Sequence, residues 1–249
     1  MKKYRQSILF LMISSLLALG FVSCADDGYS LDKYWRSIAT INKIGDNTYD
    51  FTLDNGEKLW IAAPVGLNLN PKNKRAIINY TILSDTQNGY DHYVRLNGLS
   101  EVLTKDIIYI APDDEIKQDS IGRNPVKVYS VWEGGDYLNI FFGFNIGGVE
   151  SHMINLVSSE PNISKDEDIV KLEFRHNQKS DPEHYPSKSY VSFSLAPYKV
   201  AGRDEVMIEL IWKDFSGETK TYKIEYKYDK TSDVEVKTYE ELNTNLNIY

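Results

Sequence analysis

The chain has 249 residues and a formal net charge of −8, with 36 acidic against 28 basic side chains. An acidic protein repels nucleic-acid phosphates, which are held by lysines and arginines that displace counterions, so nucleic acid is excluded as a natural partner. The length allows one large β domain or two small ones, each able to bury a core, and 18 tyrosines against 9 phenylalanines suit half-buried strands and binding faces.

Residues 1–23 read as a secretory signal peptide: Lys2, Lys3 and Arg5 form a basic head, Ile8 to Val22 an apolar run, and Ser23 a small residue at the cut site. The run is shorter than the roughly 20 residues a membrane-spanning helix needs. Its removal takes away three positive charges and lowers the net charge from −8 to −11. Cys24 is the single cysteine, and Phe21-Val22-Ser23-Cys24 resembles a bacterial lipobox, with Phe21 where Leu is usual. One cysteine cannot form an intramolecular disulfide, and a free thiol is out of place in an exported protein, so Cys24 is the expected lipidation site. An ordinary signal peptide cut nearby and an unpaired thiol without a role are the alternatives. Acyl chains contribute about 0.8 kcal/mol per buried CH₂ and would hold a soluble domain on a membrane. Residues 24–34 then form a lipidated tether. Ala25-Asp26-Asp27 resembles the surface-export signal of Bacteroidetes lipoproteins, which implies an outer-membrane, surface-exposed protein; a solvated acidic tether would explain it equally.

The fold class expected from the rest is all-β, a small OB-like barrel followed by an immunoglobulin-like β-sandwich. Over residues 35–112 the apolar residues alternate with period two, the mark of half-buried strands. Trp35, Ala39 and Ile41 share one side of the first segment, and Tyr49, Phe51 and Leu53 one side of the next. Asp54-Asn55-Gly56 predicts a type I′ hairpin into Glu57–Ala62, because Asn-Gly supplies two positive φ angles. Pro64–Lys74 reads as a loop, Arg75–Leu83 as a fourth strand, Asn88-Gly89 as a turn, Tyr90–Leu96 as a fifth strand and Val102–Ile110 as one more extended segment. Such a series fits a five-stranded OB barrel if one segment is not a full strand, and an SH3-like barrel nearly as well.

Residues 113–124 are polar and acidic and read as a linker between domains. Beyond it, residues 125–230 carry seven alternating runs, from Val126–Trp132 through Leu138–Phe144, Val149–Val157, Val170–Phe174, Val191–Leu195 and Val206–Trp212 to Tyr222–Tyr228. Gly134-Gly135, Gly147-Gly148 and Ser216-Gly217 supply turns. This is the pattern of a sandwich of about 100 residues. A polar tail, 231–249, follows.

Catalytic signatures do not emerge. The histidines, His92, His152, His176 and His184, lack the spacing of a zinc helix. His176 and His184 flank Asp181 and Glu183, the arrangement of a loop-borne metal site, although surface loop residues explain them more simply. Asp113, Asp114, Glu115 and Asp119 have the composition of a calcium loop without its spacing or its glycine. No Gly-x-Ser-x-Gly turn occurs, and the paired glycines join strands, where no helix opens to cradle a phosphate. Asn79-Tyr80-Thr81 and Asn162-Ile163-Ser164 match the glycosylation sequon by chance. The expectation is therefore no enzyme, no metal and no cofactor. Aromatics in loops, Tyr90, Tyr185, Tyr198 and Phe215, are the candidate ligand-binding residues, because flat rings stack on sugars or anchor protein partners. Packing beneath the loops is the plainer explanation of them.

Taken together, Ser23-Cys24 followed by Asp26-Asp27-Gly28-Tyr29, Tyr34-Trp35, Thr52-Leu53-Asp54-Asn55-Gly56, Leu59-Trp60, Leu103-Thr104-Lys105-Asp106, Ser189-Tyr190-Val191-Ser192-Phe193 and Trp212 resemble the NigD-like lipoproteins of the Bacteroidetes. The resemblance implies an N-terminal OB domain, a C-terminal β-sandwich and, through the family's association with bacteriocin gene clusters, an immunity or accessory role. It supplies no catalytic or binding residues. The expected function is that of a non-enzymatic, lipid-anchored envelope protein with a protein partner; the alternative is a glycan-binding accessory lipoprotein.

Overall fold

A computed structural model of the chain describes residues 30–160 and 169–228. The signal peptide, Cys24 and its first neighbours, the Asn162-Ile163-Ser164 sequon and the tail 231–249 lie outside the described residues. Strands β1 (Trp35–Gly45), β2 (Thr48–Leu53), β3 (Lys58–Ala63), β4 (Arg75–Ser84) and β5 (His92–Asp106) close a barrel. β1 pairs antiparallel with β2 and β4, β2 with β3, and β4 with β5, while β3 and β5 complete the circuit in parallel. This is the five-stranded barrel of an OB domain. Alternation does what the sequence implies: Ala39, Ile41, Phe51, Leu53, Leu59, Ile78, Tyr80, Val94 and Leu96 point inward and form one core.

Two Asn-Gly pairs take different turns. At Asn88-Gly89 both φ angles are positive, 52° and 82°, and Gln87 and Tyr90 exchange two backbone hydrogen bonds of 3.0 Å, which is the type I′ geometry. At Asp54-Asn55-Gly56 only Gly56 has positive φ, 88°. Gly56 donates to the Leu53 carbonyl at 2.9 Å and Leu53 donates to the Glu57 carbonyl at 2.8 Å. That is a three-residue loop ending in a bulged glycine, so the type I′ expectation is corrected there. The extra residue turns the Asp54 side chain inward, where it is 8% exposed.

The segments expected at Tyr90–Leu96 and Val102–Ile110 are largely one strand, since β5 runs unbroken to Asp106 before the two-residue β6 (Ile108–Tyr109). The segment read as a linker folds as a short helix, α1 (Glu115–Ile121). The Asp114 carboxylate caps it by accepting from the Lys117 amide at 3.1 Å, and Gly122 closes it at φ 73°. Then follow β7 (Lys127–Gly134), β8 (Tyr137–Ile146), β9 (Met153–Ser158), β10 (Ile169–Asn177), β11 (Tyr185–Ser194), β12 (Glu205–Lys213) and β13 (Thr219–Lys227). The expected strand from Val149 starts only at Met153, because the amides of residues 147–150 are taken by a side chain described below.

The sandwich packs β7, β8 and β11 against a second sheet in the order β13-β12-β10-β9-β6. β10–β12 and β6–β9 are parallel ladders, a difference from the antiparallel sheets of an immunoglobulin domain. Leu138, Ile140, Phe142, Leu156, Leu172, Phe174, Phe193, Ile208 and Leu210 fill the space between the sheets. The end of β5 pairs in parallel with β11, from Leu103–Val191 to Asp106–Ser194. One eight-stranded sheet thereby runs from barrel to sandwich, in the order β3-β2-β1-β4-β5-β11-β8-β7.

Candidate binding face

Register places a row of side chains on the outside of the barrel. Asn42 pairs with Asp50, Asp50 with Trp60 and Trp60 with Tyr93, across β1, β2, β3 and β5. Their chain neighbours, Ile41, Phe51, Leu59 and Val94, are in the core, so period two sends these four outward. Asn42 Nδ2 donates to Asp50 Oδ1 at 2.7 Å and to Thr52 Oγ1 at 2.8 Å. The type I′ turn delivers Tyr90 onto the row, where its hydroxyl donates to Asp50 Oδ2 at 2.9 Å. Burial, then the Asp50 carboxylate and Tyr93, push the Tyr90 hydroxyl above its ordinary value, so it remains a donor. Tyr93 in turn accepts from Asn88 Nδ2 at 3.0 Å.

Trp60, Tyr90 and Tyr93 form a three-ring cluster with centroids 5.3 to 6.3 Å apart. Their planes are inclined by 57°, 44° and 86°, so they do not make a flat platform. Beside Trp60 a groove of about 290 Å³ opens between β2, β3 and the loop after β3, lined by Tyr49, Trp60, Ile61, Pro64, Val65 and Leu67 among others. Val65 is 95% exposed at its edge. In OB barrels this face, with the loops joining strands 1–2 and 4–5, is where ligands sit.

Of the four candidate aromatics, Tyr90 alone lies on this face. Tyr185 opens β11, 66% exposed, with its ring edge-on to His184 at 6.1 Å. Tyr198 sits in a 3-10 turn and packs on the sandwich core, its carbonyl accepting from the Tyr228 hydroxyl at 3.1 Å. Phe215 is 45% exposed in the turn between β12 and β13. Trp60 entered only as part of the Leu59-Trp60 family motif, and Tyr93, Asp50 and Asn42 were not singled out in the sequence. The available signal was a tryptophan at the outward phase of an alternating strand.

A second polar cluster is internal. Asp181, 2% exposed, accepts from the amides of Gly147, Gly148, Val149 and Glu150 at 2.5 to 3.1 Å and faces His152 Nε2 at 3.0 Å. Burial alone would raise the Asp181 carboxyl, but the amides of Gly147, Glu150 and Val149 and the His152 ring outweigh it and hold it far below the usual carboxylate range. His152 Nδ1 lies 2.8 Å from His176 Nε2. Because a carboxylate only accepts, neutral rings require His152 to donate from Nε2 and His176 to donate to His152 Nδ1. Burial, then the neighbouring His152, lowers His176 to about 4. The loop carboxylate thus meets His152, which in turn meets His176, and not His184. No group of three or more His, Cys, Asp or Glu among the described residues is arranged to hold a metal. Every oxygen of Asp181 is committed to holding the loop after β8, so the cluster is a latch.

The third cluster joins barrel to sandwich. Arg75, 1% exposed, pairs with Asp54 and donates to Thr40 Oγ1 at 2.9 Å and Asn139 Oδ1 at 3.2 Å. Trp132 Nε1 donates to Asp54 Oδ2 at 2.8 Å, Ser192 Oγ to Asn139 at 2.7 Å, and the guanidinium lies 4.9 Å from the Tyr137 ring centroid.

Family models match both halves: the NigD-like N-terminal OB domain over residues 38–102 and the NigD-like C-terminal β-sandwich domain over 109–226. The chain belongs to the NigD-like family. Among solved structures, a protein of Parabacteroides distasonis described as toxin-related is 31% identical, with 86% of this chain and 98% of that one covered and a TM-score of 0.68. A protein of unknown function from Bacteroides vulgatus is 27% identical over 85% and 99% of the two chains, with a TM-score of 0.69. A NigD-like immunity protein from Bacteroides caccae, 22% identical over 81% and 99%, shares the fold with a TM-score of 0.57. No curated protein matches. Among the described residues of this NigD-like chain, no helix is long and apolar enough to cross a membrane.

Proposed function

We propose that this NigD-like protein is a lipid-anchored, non-enzymatic envelope protein of immunity type, displayed on the outer membrane, that binds a protein partner through the outer face of its barrel. The observation that carries the reading is the groove beside Trp60. It is bordered by exposed apolar side chains, Val65 foremost, and by rings inclined to one another, which suits the side chains of a protein better than the flat faces of a sugar. The Ser23-Cys24 junction after an apolar run supports the anchor, and Ala25-Asp26-Asp27 supports surface display. Relatives described as an immunity protein and as toxin-related support the accessory role.

The test places a photo-crosslinking amino acid at Val65 in intact native cells, with Trp60→Ala as control and the N-terminus of the mature chain analysed by mass spectrometry. One reproducible protein captured at Val65, lost in Trp60→Ala, together with an acylated Cys24, is the expected result. Capture of envelope glycan alone, or capture unaffected by Trp60→Ala, would overturn the protein-partner reading.

A further inference from the structure

On the outer face of the second sandwich sheet, α1 lies across β10 and leaves a pocket of about 450 Å³. Glu115, Gln118 and Asp119 of the helix line it, as do Arg123, Glu173 and Arg175. Alternation explains the wall: Val170, Leu172 and Phe174 of β10 enter the core, so Glu173 and Arg175 turn away from it, toward the helix.

Arg175 is 4% exposed. A guanidinium offers five N–H groups, yet among the described residues only Nη2 is engaged, at 2.5 Å from Glu173 Oε2, while Nε and Nη1 have no partner there. Asn155 stands opposite Arg175 in the β9–β10 register, and among the described residues its Nδ2 is also unpartnered, its oxygen being taken by Lys105. The unpartnered buried atoms of these two residues are all donors. Native interiors rarely leave such groups alone, so what this place lacks is an acceptor. Glu173 does not supply it: it meets Arg175 through Nη2 alone, and its other oxygen accepts from Arg123 Nε at 3.1 Å.

The opposite wall has the other sign. Glu115 and Asp119 are one helical turn apart and share a face of α1, and among the described residues neither carboxylate has a partner. A bare anion would be repelled by that wall and a bare cation by the arginines. We infer that the pocket binds a small zwitterion, a free α-amino acid or a short unblocked peptide, its carboxylate on Arg175 and Arg123 and its ammonium on Glu115 and Asp119. Two arginines bridged by Glu173 on one side and two further carboxylates on the other select molecules that carry both charges and disfavour those that carry one.

The experiment uses the full mature chain with Cys24→Ala to keep it in solution. Thermal unfolding is followed with each standard amino acid and with alanyl-alanine, all at about 10 mM, enough to fill a site of millimolar Kd. At least one is expected to raise the midpoint, and blocking its amine by acetylation or its carboxylate by amidation should each weaken binding by about tenfold or more. Arg175 is buried and its replacement risks misfolding, so Arg123→Gln, on a half-exposed side chain, is the test variant. It should lose the ligand-induced shift while keeping the unliganded midpoint. No shift with any of these probes, equal binding of either blocked form, or a shift unchanged in Arg123→Gln would overturn the assignment.

Discussion

His176 is the residue at which solution conditions act most directly on this protein. Its imidazole is held neutral down to about pH 4 by burial and by His152, against an ordinary value of 6.5, with the Pro125 carbonyl and Glu183 acting the other way. A histidine with a lowered folded value binds fewer protons folded than unfolded, so stability is full above 6.5 and is lost as pH falls toward 4. The interval corresponds to about 3 kcal/mol at 1.36 kcal/mol per unit. Urea unfolding of wild type between pH 7 and pH 4 should show that fall, and His176→Asn should flatten it; superimposable profiles would contradict the argument. Asp181 works over a lower range. Its carboxyl is held below the unfolded value of 3.8, so its contribution is present above that pH and lost below it. Asp181→Asn keeps one acceptor oxygen but turns an NH₂ toward two of the four backbone N–H groups, and hydrogen exchange should therefore rise first in residues 147–150.

At the scale of elements, α1 shows how much rests on its ends. The helix is seven residues long, too short to stand without docking. Asn177 Nδ2 donates to the Ser120 carbonyl at 2.8 Å, and the chain leaves at Gly122 with φ 73°. A Cβ at Gly122 would lie 2.7 Å from Asn177 Cβ in addition to taking a left-handed backbone. Gly122→Ala should therefore cost about 1–2 kcal/mol from the backbone conformation, with the steric clash added, and hydrogen exchange should quicken over residues 115–123. The same element marks a limit of sequence reading. Asp114 and Gly122 are capping residues in plain sight, but α1 buries no residue of its own, so no apolar period announced it. Barrel strands were legible because alternation is local, as was the Asn88-Gly89 turn. The turn at Asn55-Gly56 was not, because Asp54 bends in to meet Arg75 and Trp132, far away in sequence. Likewise Tyr90 could be picked out as a loop aromatic, whereas its partners Asp50, Trp60 and Tyr93 become neighbours only through strand register. His152 and Asp181, 29 residues apart, met for a reason no spacing rule expresses: four loop amides needed one carboxylate.

At the scale of the whole molecule, the two family domains share a sheet, and a buried ion pair of the barrel is bonded to the sandwich. Both lie in one compact unit that begins at Leu31. β5 is the physical link, closing the barrel with its first half and pairing with β11 through its second. Arg75 and Asp54 add a link that alternation cannot provide: a barrel arginine bonded to Asn139 and a barrel carboxylate bonded to Trp132, both acceptor and donor belonging to the sandwich. Melting the barrel alone would strip Asn139 and Trp132 of these partners and leave the β11 edge unpaired, exposing backbone groups that water must then reach. Calorimetry should accordingly show a single transition with matching calorimetric and van't Hoff enthalpies. Arg75→Met leaves Asp54 buried without its counter-charge, which costs about 3–5 kcal/mol. Because the pair bridges the two halves, the variant should lower the midpoint reported by barrel and sandwich probes together. Two separated transitions in wild type, or a barrel that loosens in Arg75→Met while the sandwich holds its midpoint, would mean that the continuous sheet transmits too little energy to make the halves fold as one.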